Sequence, residues 1–275
     1  IERSEDGSLV TRDPLGLICR VKPGTVSIPS EIGTSLTGRE AWKELYLPKL
    51  QMSDDRIPKE ALLSLPDPKS RDIPVGLHLG SLGVESLSYL YSDDEELYGE
   101  IVDTLCGLCY DCAKAMLETG VTFDYAHYWE DICFKNGPLV SPFVFRDYIG
   151  PWYRKITNLV NSYGIEIISV DCDGQIDSLI PIWLENGVNT MFPIEVGTWN
   201  ASIAPWREKY GKQIRGIGGM NKTVFSMDKK AVDLEIERLK KLIELGGYIP
   251  CPDHRIAPDA KFELVQYYCE KMQNL

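Results

Sequence analysis

The sequence predicts an α/β fold, a (β/α)8 TIM-type barrel with an elaborated or truncated N-terminal part. Short, almost wholly apolar strands alternate with helices from residue 73 onward, as in parallel sheets covered by helices. Polar residues follow nearly every strand, and barrels assemble their chemistry at the carboxyl ends of several strands. A doubly wound sheet is the alternative, although that fold usually has a glycine-rich first turn.

We predict a single domain over 1–275. Residues 1–70 are rich in proline and glycine and are predicted to be irregular, whereas 71–275 supply the strand–helix units of the barrel. The N-terminal region contains one predicted strand, LGLICRV, and helical segments at 38–47 and 58–64.

The barrel units are bounded by local signals. Ser141-Pro142 provides an N-cap and a first-turn proline for one helix, and glycines follow most of the others. The predicted strands cover 73–82, 122–131, 165–170, 190–194, 214–217 and 248–250. The predicted helices cover 93–119, 142–163, 175–186, 201–210, 228–245 and 259–273.

Composition narrows the function classes. The 275 residues include 29 Lys+Arg and 41 Asp+Glu, which gives a net charge of −12 and disfavours nucleic acid and anionic membrane surfaces as partners. No apolar run approaches the roughly 20 residues needed to span a bilayer. We therefore expect a cytoplasmic protein with a small-molecule substrate, and composition does not predict its oligomeric state.

The eight cysteines are interpreted as reduced thiols. Cys106, Cys109 and Cys112 have a spacing that could suggest an iron–sulfur cluster. They lie inside a predicted amphipathic helix, however, and no Cys-Pro follows them. Because cysteine is often buried as a small apolar residue, we interpret this run as helix packing.

Acidic residues and one histidine follow the predicted strands. Asp171 and Asp173 have the same strand parity, so their side chains should point the same way. Several carboxylates at one edge would repel each other unless a cation or shared protons balanced them, and oxygen ligands with one imidazole suit Zn²⁺ or another divalent ion. The alternative is that each acid caps the helix after it. The strand-end residues are Glu130, Asp131, Asp171, Asp173, Glu195 and His254.

Histidines are few, at positions 78, 127 and 254. His254 lies in a short loop between Pro252 and Pro258, and a loop with a restricted backbone suits a catalytic group. His127 is in the middle of a predicted strand, and its orientation is left open. Tyr128 and Trp129 could form aromatic pocket walls, although aromatics near strand ends are often core residues.

Four segments resemble the uroporphyrinogen decarboxylase superfamily, which contains the decarboxylase and corrinoid-dependent methyltransferases. They are EDICFKNGPLVSP (130–142), DCDGQIDSLIPIWLENGVNTMFPIE (171–195), GIGGMNK (216–222) and GGYIPCPDHRIAPD (246–259). Together with the helix order, the resemblance covers about 70–272 and implies a (β/α)8 barrel. The arginine-bearing N-terminal motif of the decarboxylase and its aspartate on an early strand are not identifiable here.

The resemblance also implies a chemistry. Thiol-using methyltransferases of the superfamily bind zinc through His-x-Cys and a later cysteine, and these positions hold Asp171, Asp173 and His254 here. His254 also matches the histidine of the decarboxylase's glycine-histidine-glycine loop. Oxygen and nitrogen donors fit methyltransferases that act on methoxylated or methylamine-like compounds, where a Lewis acid or a proton donor stabilises the leaving atom.

The leading hypothesis is therefore methyl transfer from a small methylated substrate to a corrinoid carried by a partner protein. In it, His254, Asp173 and Glu195 are catalytic; together with Asp171 they hold a divalent metal, zinc being preferred, or form an acid–base cluster. The predicted substrate-binding residues are Tyr128, Trp129, Glu130 and Asp131.

Two alternatives remain. Decarboxylation of an acidic tetrapyrrole would gain support if Arg20, Arg146 and Arg215 converged on the barrel mouth. A non-catalytic barrel that binds a ligand or a corrinoid protein would spread the acids apart, each capping a helix.

Overall fold

The computed structural model describes residues 2–3, 7–14, 16–24, 29–80 and 85–275. Its main element is a sheet of six parallel strands, which neighbour one another in the order of the sequence. They are β5 (Gly76–His78), β6 (Tyr125–Trp129), β9 (Ile168–Asp171), β10 (Thr190–Ile194), β11 (Arg215–Met220) and β12 (Tyr248–Pro252). A short antiparallel pair, β7 (Cys133–Phe134) and β8 (Gly137–Pro138), follows β6.

The strand order decides between the two predicted architectures. A doubly wound sheet reverses its strand order at a switch point, whereas these six strands follow one another without reversal. The sheet is therefore an arc of the TIM type. Within the described residues β5 and β12 do not pair, so the prediction is confirmed for a parallel sheet with helices but not for a closed barrel of eight strands.

The helices lie between the strands, close to the predicted positions. Some predicted helix starts differ from the observed ones. The helix expected from about residue 175 starts at Ile180, and the helix expected from about residue 93 starts at Glu95, because the Asp94 carboxylate accepts the Leu97 N–H and caps it. A separate helix precedes it directly. The helices that flank the sheet are α3 (Glu85–Asp93), α4 (Glu95–Leu117), α5 (Pro142–Val144), α6 (Gly150–Ser162), α7 (Ile180–Glu185), α8 (Val196–Trp199), α9 (Ile203–Tyr210), α10 (Lys229–Ile243) and α11 (Phe262–Gln273).

Shorter turns of helix complete these connections. A π-helical turn joins α5 to α6, and 3₁₀ turns precede β11 and α10. Part of the predicted strand 73–82, its last two residues, lies outside the described residues. Among the described helices, none combines the length and apolar character that crossing a bilayer requires.

The N-terminal region is more regular than predicted. It contains an antiparallel sheet of four strands, of which the sequence indicated only one. The strands are β1 (Glu2–Arg3), β2 (Leu9–Arg12), β3 (Leu17–Val21) and β4 (Ser30–Thr34), and the helices after them are α1 (Arg39–Ala41) and α2 (Lys59–Leu63).

The segment after this sheet is anchored on α4. Arg39 forms ion pairs with Asp94 and Glu96, both at 2.8 Å, and the Trp42 indole N–H donates to Glu100. Trp42 is almost fully buried. These contacts join the segment to the first long helix of the parallel sheet.

The two faces of the parallel sheet differ. Residues at alternate positions pack under the helices: Leu77, Ala126, Tyr128, Val170 and Met191 are all buried. We call the opposite side the inner face. Its residues at one register, paired strand to strand, are His78, His127, Ser169, Thr190 and Arg215.

Candidate functional site

The strand-end acids meet at the carboxyl edge of the parallel sheet. Asp173, Glu195 and His254 each offer a ligand atom, and these atoms lie within 4.8 Å of one another. The His254 Nδ1 atom is 3.7 Å from the Asp173 Oδ1 atom. The three residues follow β9, β10 and β12, so parallel strands bring together residues far apart in sequence. We call them the edge cluster.

Glu195 is held in place by two donors. The Gly174 N–H donates to its Oε2 atom at 2.5 Å, and the Thr198 hydroxyl donates to its Oε1 atom at 2.8 Å. The side chain is buried, and although Glu195 immediately precedes α8 it does not cap that helix. The buried carboxylate is therefore oriented toward the edge cluster, against the interpretation that each acid serves only as a helix cap.

Two further acids surround the edge cluster. Burial raises the pKa of Asp171 to about 7, with contributions from the charges of Asp173, Asp131 and Glu195. Burial also raises the pKa of Asp131. A hydrogen bond from the Trp129 side chain and the charge of His254 oppose that rise. The group of ligand atoms within 4.8 Å of one another contains Asp173, Glu195 and His254 but not Asp171, so the predicted role of Asp171 as a metal ligand stays a prediction.

The pKa of Asp173 is affected by both negative and positive neighbours. Burial and the Glu195 charge raise its pKa, and His254 and Lys222 oppose that rise. The carboxylates therefore resist being ionised together. A bound cation or shared protons would relieve this repulsion.

A lysine and an aspartate beside the edge cluster were missed by the sequence reasoning. Asp253 is buried, its Oδ2 atom accepts the Gly197 N–H at 2.7 Å, and its Oδ1 atom is 3.6 Å from the Lys222 Nζ atom. Lys222 follows β11 as Asp173 follows β9. This position directly after a strand is the sequence signal that could have identified Lys222.

The four predicted substrate-binding residues divide between the two sides of the sheet. Tyr128 is buried under the helices and stacks on Tyr153, with ring centroids 4.1 Å apart. Glu130 is fully buried and accepts the Tyr153 hydroxyl. Neither residue lines the edge cluster, which corrects the prediction, because neighbouring residues of a strand point to opposite faces. Trp129, 51% exposed, and Asp131 are on the cluster side.

The orientation of His127, left open by the sequence, is toward the inner face. Its Nδ1 atom is 2.8 Å from the Ser169 hydroxyl oxygen, and its ring is 6.5 Å from that of His78 and 6.4 Å from that of Phe192. The inner face below the edge cluster is therefore lined by polar and aromatic groups.

The three arginines that would favour a tetrapyrrole carboxylate site do not converge. Arg20 is in β3 of the N-terminal sheet, Arg146 pairs with the neighbouring Asp147, and Arg215 begins β11 at the end away from the edge cluster. The cysteine run lies on α4 as expected, with Cys106 buried.

A cavity of about 710 Å³ lies elsewhere, between the N-terminal sheet and helices α3 and α4. Its walls are mainly apolar, from residues such as Leu17, Trp42 and Ile101. None of the acids at the carboxyl edge lines it.

The fold is similar to that of a solved methyltransferase. A methyltransferase from Methanosarcina mazei is similar over 95% of this chain and 76% of its own, with a TM-score of 0.61 and 18% sequence identity. A protein described as a candidate vitamin-B12 independent methionine synthase from Listeria monocytogenes is similar over 78% of this chain and 68% of its own, with a TM-score of 0.48 and 12% identity. No protein-family profile and no curated protein matches the sequence. At such identity, the likeness to the Methanosarcina enzyme establishes a shared fold.

Proposed function

We propose that this protein transfers a methyl group from a small methylated substrate to a corrinoid carried by a partner protein. The observation that carries the proposal is the edge cluster, in which Asp173, Glu195 and His254 come within 4.8 Å of one another. The fold shared with the methyltransferase from Methanosarcina mazei supports it.

The edge cluster fits a divalent cation. Its donors are two carboxylates and one imidazole, a set that zinc accepts, and Glu195 is already oriented by two hydrogen bonds. A metal bound there would act as a Lewis acid toward the leaving atom of the substrate. Lys222, paired with Asp253, is close enough to the edge cluster for its charge to lower the pKa of Asp173.

The protein's own part in the reaction is to stabilise the leaving group. The bond between the methyl carbon and the substrate oxygen or nitrogen breaks, and its electron pair stays on that heteroatom. The methyl group passes to the reduced corrinoid, which supplies the nucleophile. The side chains of Asp173 and His254 are nearly half exposed, so a cofactor carried by another protein has access to this edge.

Metal analysis and an activity assay test the proposal. We expect about one equivalent of a divalent metal per chain. We also expect methyl transfer from at least one methoxylated or methylamine-like compound to a purified corrinoid protein, followed by the corrinoid absorption spectrum. His254→Ala should lower turnover by about 100-fold or more, since it removes one of three ligands.

The matched control is Glu208→Gln, which changes an exposed acid on α9. It should leave both metal content and turnover unchanged. Full turnover in His254→Ala, with bound metal unchanged, would contradict the site assignment. Release of CO₂ from an acidic tetrapyrrole would instead favour the decarboxylase.

A further inference from the structure

The cavity between the N-terminal sheet and helices α3 and α4 has no part in the proposed function. Its volume is about 710 Å³, and none of the acids at the carboxyl edge lines it. We call it the N-terminal cavity. Cores are packed about as densely as organic crystals and contain few cavities larger than a water molecule, whereas small-molecule sites are usually roughly 300–1,000 Å³ in volume. The N-terminal cavity therefore has the dimensions of a ligand site.

Most of the cavity wall is apolar and is formed by side chains of the core. Trp42 and Ile101 are each 1% exposed, and Leu87 is 5% exposed. Ile101 and Leu105 are four residues apart on α4, so both reach the cavity from one side of that helix. Leu17 of β3 contributes to the wall from the N-terminal sheet. Because a polar group without a hydrogen-bond partner is costly to bury, such a wall accepts an alkyl chain and disfavours a ligand that is polar throughout.

The charged residues around the N-terminal cavity give it a positive lining. Among the described residues that line it, three are charged: Arg12, Asp13 and Lys49. The Asp13 carboxylate accepts the Leu17 N–H at 2.8 Å and is thereby engaged in the turn between β2 and β3. Neither the Arg12 guanidinium nor the Lys49 ammonium group has an ion-pair or hydrogen-bond partner in the described part of the chain. Two such cations at one cavity, in a chain with a net charge of −12, are complementary to an anionic group.

Local structure brings both cations toward the same turn. Arg12 is the last residue of β2 and leads into the turn that contains Gly16. A Cβ atom at Gly16 would overlap the Tyr46 hydroxyl, so the Tyr46 side chain packs directly on this turn. The 3₁₀ turn Leu47–Lys49 follows Tyr46, and residues three apart in such a turn lie on the same side. Lys49 is therefore on the side of its turn that faces the end of β2.

We propose that the N-terminal cavity binds an amphipathic carboxylate, such as a medium-chain fatty acid. Its alkyl chain lies against Trp42, Leu87 and Ile101, and its carboxylate lies at the exposed end, beside Arg12 and Lys49. An alkyl ammonium compound of the same length would instead add a third positive charge there. The inference does not rest on the proposed function, because the N-terminal cavity and the edge cluster share no residue.

Isothermal titration calorimetry on the full chain tests the proposal with three probes that share one alkyl chain: decanoate, decanol and decyltrimethylammonium. Each is used below its critical micelle concentration. We expect decanoate to bind about 3- to 10-fold more tightly than decanol, the effect of exposed charge pairs. Decyltrimethylammonium should bind at least about tenfold more weakly than decanoate.

Two variants locate the ligand. The double variant Arg12→Gln/Lys49→Gln changes only exposed side chains; it should remove the preference for decanoate and leave the affinity for decanol nearly unchanged. Leu105→Trp adds a large ring to the apolar wall and should weaken decanoate and decanol about tenfold or more, because the ring occupies the space of the alkyl chain.

The matched control is the double variant Arg20→Gln/Lys43→Gln, which removes two exposed cations that do not line the cavity. It should leave the affinities for all three probes unchanged. Absence of decanoate binding, or decanoate binding undiminished in Leu105→Trp, would overturn the site. Equal affinity for decanoate and decyltrimethylammonium would overturn the assignment of a carboxylate ligand.

Discussion

The two faces of the parallel sheet are built from the same strands but by different rules. On the helix-facing side, Ala126, Tyr128 and Val170 are buried among apolar neighbours. On the inner face the adjacent residues His127, Trp129 and Asp171 are polar or exposed. Because successive side chains of a strand point to opposite faces, about half of the residues pack in the core and the other half face the inner side.

The composition of the inner face is unusual for a fold of this type. The interior of a TIM barrel is ordinarily filled by branched apolar side chains, yet here one row across five of the six parallel strands contains two histidines, a serine, a threonine and an arginine. These residues contribute little apolar burial. Several of them are instead held by hydrogen bonds within the sheet, such as that between His127 and Ser169.

The largest expected effect comes from placing a charge on each face in turn. Val170→Asp buries an unpaired carboxylate under the helices, and we expect a loss of about 4 kcal/mol or more in the free energy of unfolding. Asp171→Val, the next residue, removes one of several mutually repelling carboxylates and should be neutral or stabilising in metal-free protein. Urea unfolding followed by circular dichroism measures both, and equal losses would contradict the assignment of the two faces.

A smaller difference in the free energy of unfolding is expected between substitutions of Tyr128 and Tyr153, which stack on each other under the helices. The Tyr153 hydroxyl donates to the buried Glu130 carboxylate, so Tyr153→Phe should cost about 1–3 kcal/mol. The Tyr128 hydroxyl is buried without a hydrogen-bond partner in the described part of the chain, so Tyr128→Phe should be neutral or slightly stabilising. The same urea unfolding series checks this pair, and a larger loss in Tyr128→Phe would show that the hydroxyl has a partner.

The smallest expected effect is a pH dependence from the inner face. Burial lowers the pKa of His78 and of His127, so the unfolded chain takes up their protons first as the pH falls below the ordinary value of about 6.5. Stability is therefore lost on acidification through this window. The double variant with both histidines changed to Gln should lose less stability than the wild type between pH 7 and 5.

The neighbouring carboxylates titrate in the opposite sense. The pKa values of Asp131, Asp171 and Asp173 are raised, so protonation on acidification favours the folded state. Their contribution is common to both proteins and largely cancels in the difference between them. Identical pH profiles for the two proteins would show that partial burial does not lower the pKa values of these histidines.

Much of the fold could be predicted because its signals are local. The strands β9, β10 and β12 are largely apolar and β11 is rich in glycine, and each of the four was located within a few residues of its observed bounds. The N-terminal sheet was largely missed, because β1, β2 and β4 are short and lack a clear alternation of apolar and polar residues. Antiparallel pairing there depends on contacts between strands, which no single segment encodes.

The candidate site was predictable in part for the same reason. Strand-end positions identified Asp173, Glu195 and His254, because parallel strands place their carboxyl ends at one edge whatever the helices between them do. The strand parity that groups Asp171 with Asp173 also separates Tyr128 and Glu130 from Trp129 and Asp131.

The succession of strands and helices, and the collection of acids and His254 at one edge of the sheet, follow from hydrophobic pattern and chain direction and are readable from the sequence. Which of those groups touch depends on the folded chain: Asp171 lies outside the edge cluster, Lys222 pairs with Asp253, and His127 faces Ser169. Such contacts depend on distances of a few ångströms between strands far apart in sequence, and these distances are set by register and packing across the whole sheet.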